Sequence, residues 1–312
     1  MQLKLSYLAY TLVAIAFISL LFGFSQATKP GQHSAGSYWE PVEKAIGKSG
    51  TMLPGGVFKV DLTRGDVAVA VGGVRLKPAM ATDSWVSFMR MGDEAMMMGY
   101  IVLTSEEVGP VQAKLSAEGI DITAIHNTLI GESPRLYDLH IGGRGDPAML
   151  ATKVRIALDT ARISSAGESP RPERPAPAVG QLDMVMGSEY TLEDGVYLFS
   201  IPRAERITVD GMEMPPSMDV ATMIRFQPLG DGNVAATGDF LLRPDEVQPV
   251  IRALNENGIE VTALHSHMLV EEPRLFMLHF WATGDENRLA KGLRLALNNT
   301  NSIPIKAGLA YR

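Results

Sequence analysis

Residues 57–78, VFKVDLTRGDVAVAVGGVRLKP, alternate apolar and polar positions with a period of two around turn residues. That is the pattern of strands with one face buried. MMMGYIVL (96–103) and VAATGDFLL (234–242) are mostly apolar runs of strand length. The period then changes. Val108, Val111 and Leu115 recur at helical spacing and stop at Gly119, and Val247, Val250 and Leu254 do the same ahead of Gly258. Glycine at that place suits a left-handed helix cap. Two further strands are expected on either side of GESP (131–134) and VEEP (270–273). A last helix opens at Asp146-Pro147 or at Asp285, where a carboxylate accepts hydrogen bonds from free amide groups. Its buried stripe is Leu150, Val154 and Leu158 in one place, and Leu289, Leu293 and Leu297 in the other.

These paired patterns are two copies of one unit. With an offset of 139, EEVGPVQAKLSAEGIDITAIH (106–126) falls on DEVQPVIRALNENGIEVTALH (245–265). The match continues through Pro134/Pro273, Arg135/Arg274 and His140/His279, and reaches back to Arg64/Arg203. The chain is a tandem duplication. Each copy reads as several antiparallel strands followed by strand–helix–hairpin–helix, an α+β domain with two helices on one face of an antiparallel sheet. Repeat domains are expected at 28–163 and 182–302, joined by a Pro-rich linker at 164–181 and followed by a tail, 303–312. Because each copy carries its own core stripes, each is expected to fold alone.

Composition narrows the function classes. The net charge of −7, with no basic cluster, argues against nucleic acid as a partner. The chain contains no cysteine, which excludes disulfides, thiol catalysis and thiolate metal sites. Residues 5–24 form an uncharged apolar run that ends in Ser25-Gln26-Ala27. Either residues 1–27 are a signal peptide, or the run stays as an N-terminal membrane anchor. Both readings place the protein outside the cytoplasm, periplasmic, extracellular or anchored to the membrane.

The candidate chemistry lies in ALHSHMLVEEPRLFMLHFW (263–281), which holds three of six histidines. Residues i and i+2 of a strand share a face, so His265 and His267 can converge on one ion. His279 joins them in one hairpin register only. A loop of Glu271-Glu272-Pro273 sets His265 opposite His279, whereas a loop one residue tighter turns His279 to the other face. Glu271, at the rim, offers an oxygen. Three imidazoles and a carboxylate suit zinc or another divalent first-row metal. In the first copy Thr128 replaces His267, so His126 and His140 read as core histidines with a hydrogen-bonded ring nitrogen.

The Gly-led strand, Ala263-Leu264-His265-x-His267, the Pro273-Arg274 pair and Leu278-His279-Phe280-Trp281 together resemble the LppY/LpqO conserved repeat. Arg64-x-Asp66 and Arg203-x-Glu205 fit it as well. The resemblance covers essentially everything after residue 27. The first copy departs from it at Thr128, the second at Ser266, and the family's lipid-attachment cysteine is missing. The resemblance implies an exported protein and supplies no reaction.

The remaining features have plain structural readings. Arg64 with Asp66, and Arg203 with Glu205, are expected to form internal salt bridges, and Arg135 and Arg274 to hold an anion or a neighbouring carboxylate. The methionines of MRMGDEAMMMGY are expected to fill core, because Met96 and Met97 correspond to Ala235 and Ala236. Two function classes follow. One is an exported, non-enzymatic protein that binds a metal ion or small ligand at His265, His267, His279 and Glu271. The other is an extracytoplasmic metal-dependent hydrolase, which needs an open coordination position and a general base.

Overall fold

The computed structural model describes residues 38–161, 163 and 182–303. The expected leader, the linker and residues 304–312 lie outside the described residues. Among the described residues, no helix is long and apolar enough to cross a membrane.

The first copy begins with helix α1 (Glu40–Ile46) and strands β1 (Thr51–Leu53) and β2 (Val57–Asp61). Two short strands, β3 (Val69–Val71) and β4 (Val74–Leu76), lead to the single helical turn α2 (Pro78–Ala81). Long strands β5 (Trp85–Met91) and β6 (Glu94–Thr104) precede helix α3 (Ser105–Ala117). Then come β7 (Asp121–His126), β8 (Glu132–Ser133), β9 (Leu136–Gly145) and helix α4 (Pro147–Thr160). The second copy repeats the order. It starts with α5 (Leu182–Met186), β10 (Thr191–Glu193), β11 (Val196–Pro202), β12 (Thr208–Val209) and β13 (Met212–Glu213). A 3₁₀ turn at Pro216–Met218 stands in the place of α2. The long strands β14 (Ala221–Gly230) and β15 (Asn233–Leu242) lead into α6 (Pro244–Glu256). The copy closes with β16 (Glu260–His265), β17 (Glu271–Glu272), β18 (Phe276–Asp285) and α7 (Glu286–Leu297).

The α+β reading therefore describes the fold, with one addition. Helices α1 and α5 pack against α4 and α7, so each copy places one more helix beside the two expected. At seven and five residues they are too short to show a helical period, and α1 stops at Gly47 with φ 81°. The caps follow the sequence. Asp146 accepts from the Met149 amide and Asp285 from the Arg288 amide.

Each copy builds a six-stranded antiparallel sheet, ordered β1-β2-β5-β6-β9-β7 and β10-β11-β14-β15-β18-β16, plus a three-stranded sheet, β4-β3-β8 or β13-β12-β17. The chain leaves β6 through α3, enters β7 at the sheet edge, and returns in β9 between them. This split crossover sets β7 beside β9, and β16 beside β18.

Alternation along the strands separates two faces. Phe58, Val60, Met97, Ile101 and Leu103 join Val111, Leu115, Val154 and Leu158 in a core between sheet and helices. The second copy has the equivalent core around Phe199, Phe226, Phe240, Phe280 and Leu293. The opposite face is also buried, against the other copy. Val69, Leu76, Met80 and Val102 pack with Val196, Leu198 and Ala235 of the second copy. Val57 and Met96 pack with Met214, Met218, Leu241, Met268 and Met277. Polar contacts accompany this packing, with Lys77 N donating to Gln227 Oε1 at 2.8 Å and Ser217 Oγ to the Pro54 carbonyl at 2.6 Å. The methionines fill core as expected. Each sheet thus has a face that the other copy helps to cover, which argues against the expectation that each copy folds alone.

Candidate metal centre

The histidines lie on the face where the two copies meet. His126 is the last residue of β7, and His265 the last of β16. His140 on β9 pairs with Ala124, and His279 on β18 pairs with Ala263, so the two copies share one register. The two strand ends converge between the sheets. The His126 and His265 ring centroids are 3.7 Å apart, and so are those of His140 and His267. Five of the six histidines thus form one cluster; His33 lies outside the described residues.

The reading of His126 and His140 as core histidines with a hydrogen-bonded ring nitrogen holds for that bond and falls short of the cluster. Their Nε2 atoms do approach within 3.0 Å of each other, which satisfies one nitrogen of each. Yet His126 also belongs with His265, His267 and His279: each of the four offers a ring nitrogen, and these atoms all lie within 4.8 Å of one another. A second group, His140, Asp219 and His267, meets the same measure. The cause is face-to-face packing of the two copies, which no spacing within one copy displays.

The hairpin register also differs from both sequence alternatives. His265 pairs with Met277 and not with His279, and a bulge interrupts the ladder between Val261 and Ala263. Because Ala263 lies opposite His279, and His265 is two residues further on, His265 and His279 still share a face. Their ring centroids are 4.9 Å apart. His267 lies beyond the strand end and reaches the cluster from the loop.

Glu271 is not among these groups. Residues 266–275 are no tight hairpin, and β17 leaves the main sheet to pair with β12. The Glu271 carboxylate accepts from the Leu275 amide at 3.1 Å and from Arg274 Nη1 at 3.3 Å. It ties the loop together and holds Arg274, the neighbouring-carboxylate role foreseen for that arginine.

The cluster is uncharged, with His140, His267 and His279 buried and His126 and His265 partly buried. Burial pulls the His126 pKa down to about 3, with the nearby His265 adding to the effect. Burial, then the other imidazoles, hold His140, His267 and His279 well below the ordinary value, and burial lowers His265. Neutral imidazoles keep a lone pair for a cation. Six ring nitrogens, on His126, His265, His267 and His279, are buried with no hydrogen-bond partner among the described residues. Buried polar atoms are nearly always partnered, so such a concentration is what a ligand set looks like.

Polar residues that the sequence reading passed over surround the rings. Thr128, in the place of His267, donates to Asp138, whose pKa burial raises to about 7. A cavity of about 50 Å³ is lined by His140, His267, His279, Asp219, Asp239 and Arg225, among others. Burial raises both Asp219 and Asp239, and the Asp239 charge adds to the rise at Asp219. Burial opposes the charge on Arg225, but Asp83 and Asp239 hold it ionised. The available signal was an aspartate and an arginine inside otherwise apolar strands, VAATGDFLL and ATMIRFQP.

The arginine pairs behave as read. Arg203 Nη2 binds Glu205 at 2.9 Å, Arg64 binds Asp66, and each guanidinium also reaches a helix glutamate, Glu246 or Glu107.

Comparison with known proteins adds a family and no activity. No curated protein matches the chain. Two solved structures are similar to it: the trimeric bacterial microcompartment shell protein PduB, 11% identical over 82% of this chain and 96% of that one at a TM-score of 0.20, and EtuB from Clostridium kluyveri, 11% identical over 82% and 94% with the same TM-score. A likeness of that size carries no structural or functional meaning. A family model described as Domain of Unknown Function (DUF1259) matches residues 40–160 and again 180–299, so the chain belongs to that family and carries two tandem copies of its domain.

Proposed function

We propose that this protein is an exported, non-enzymatic binding protein that holds a divalent first-row metal ion, zinc before others, between its two repeats. The ligands are His126, His265, His267 and His279. One observation carries the reading: four neutral imidazoles from two copies, His267 and His279 buried and His126 and His265 partly buried, offer nitrogens within 4.8 Å of one another, most of them without a hydrogen-bond partner. Nitrogen ligands 2.0–2.1 Å from a tetrahedral zinc lie roughly 3.3 Å apart, so modest closure of the rings completes such a site. Imidazole-only donor sets suit zinc, copper, nickel and iron rather than calcium or magnesium.

Binding is favoured over hydrolysis by size. A cavity of about 50 Å³ adjoins the histidines, whereas pockets for drug-sized substrates run to about 300–1,000 Å³. The apolar run at 5–24 and the resemblance to the LppY/LpqO repeat support the exported setting.

The test is metal content after exhaustive dialysis, measured by elemental analysis on the full chain. His267→Ala and His126→Ala are both expected to lose bound zinc, while Glu271→Gln keeps it. Wild-type protein without metal after zinc loading, or a His267→Ala protein with wild-type content, overturns the proposal.

A further inference from the structure

We infer that a second cation site lies beside the first, formed by His140, Asp219 and His267, so that the fully loaded protein holds two ions joined at the His267 ring. The inference rests partly on the four-histidine reading, because His267 belongs to both groups.

The second group mixes one carboxylate with two imidazoles, and its ligand atoms lie within 4.8 Å of one another. His267 is 6% exposed, lines the cavity, and has neither ring nitrogen hydrogen-bonded among the described residues. Its Nδ1 lies 3.8 Å from Asp219 Oδ2. That is too long for a hydrogen bond. Two ligands each 2.0–2.2 Å from a tetrahedral zinc sit roughly 3.3–3.6 Å apart, so closure by a few tenths of an ångström brings this pair onto one ion.

Charge points the same way. The cavity wall carries Asp83, Asp219 and Asp239 against the single guanidinium of Arg225. A buried excess of carboxylate calls for a compensating cation or proton. Backbone geometry serves the site too. Asp219 follows the 3₁₀ turn with φ 63°, which turns the chain sharply at the cavity rim. The first copy cannot build the equivalent, because Thr128 stands where the second copy has His267.

Nδ1 of His267 lies on the Asp219 side, so the two-ion arrangement assigns Nε2 to the four-histidine set. Filling both sites therefore displaces the single N–H proton of His267 to solvent, and the ring bridges the ions as imidazolate.

The test is a zinc titration of the full-length, metal-free protein, with bound metal counted after desalting. Wild type is expected to hold two zinc ions per chain, and D219N, H140Q and H265A one each. Asparagine accepts the left-handed backbone at 219, and H140Q provides an independent variant should D219N fold poorly. A wild type with one ion that D219N and H140Q leave in place overturns this inference and keeps the four-histidine site. A single ion retained in H265A but lost in D219N overturns the four-histidine site and keeps this one. Two ions in D219N and H140Q overturn the ligand assignment, and none in wild type overturns both.

Discussion

At the scale of single residues, the cluster is a set of imidazoles that folding keeps neutral. In the metal-free protein His126 has its pKa pulled down to about 3 by burial and by His265, against 6.5 in an unfolded chain. Between those values the unfolded chain binds a proton that the native state does not. The native state is therefore unpenalised above about pH 6.5 and loses stability as pH falls toward 3. Asp138, raised to about 7, works in the opposite direction over part of that range, so a comparison of variants isolates the histidine. Metal-free His126→Ala is expected to gain on wild type in urea midpoint as pH is lowered from 7.5 to 5. A difference that stays constant or shrinks rules out a depressed His126. At this scale the sequence showed His265, His267 and His279 by their closeness along the chain, although His267 reaches the cluster from the loop beyond β16 and not as i+2 of a strand. It could not show that the Glu271 carboxylate is occupied by the Leu275 amide and Arg274, since the loop had to fold first.

At the scale of elements, local signals were readable and register was not. Helix caps at Asp146 and Asp285, and stops at Gly119 and Gly258, depend on neighbours in sequence. The pairing of β16 with β18 depends on a bulge and on a ten-residue excursion that carries β17 into a different sheet. Arg203 shows what joins elements here. Its side chain is fully buried and binds Glu205, Glu246 and the Leu241 carbonyl, tying the end of β11 to β15 and to the first turn of α6. Removing one member of such a network leaves a buried charge uncompensated, at a cost of about 3–5 kcal/mol. Arg203→Met is expected to lower unfolding stability by about that much, and Arg203→Met with Glu246→Gln by less, in denaturant titrations at pH 7. Equal losses in the single and double variants would show that lost packing, not the stranded carboxylate, is responsible.

At the scale of the whole molecule, alternation that looked like half-buried strands facing solvent turns out to be buried on both sides. A period of two says which residues share a face, and it cannot say whether water or a second copy covers that face. Val69, Leu76 and Val102 meet Val196 and Leu198, and Val57 and Met96 meet Met214, Met218 and Met277. Separating the copies exposes both apolar faces at once, and exposed patches of that kind drive association. Residues 38–163 and 182–303, expressed separately, are expected to aggregate or self-associate, and when refolded together to form a one-to-one complex, measured by size-exclusion chromatography with light scattering. The same experiment decides where the metal goes. The first fragment holds only His126 and His140, and the second only His265, His267 and His279. A centre that needs His126 forms in the complex and in neither fragment. Monomeric, cooperatively unfolding fragments would refute the shared interface. Full zinc uptake by 182–303 alone would return the site to the second copy.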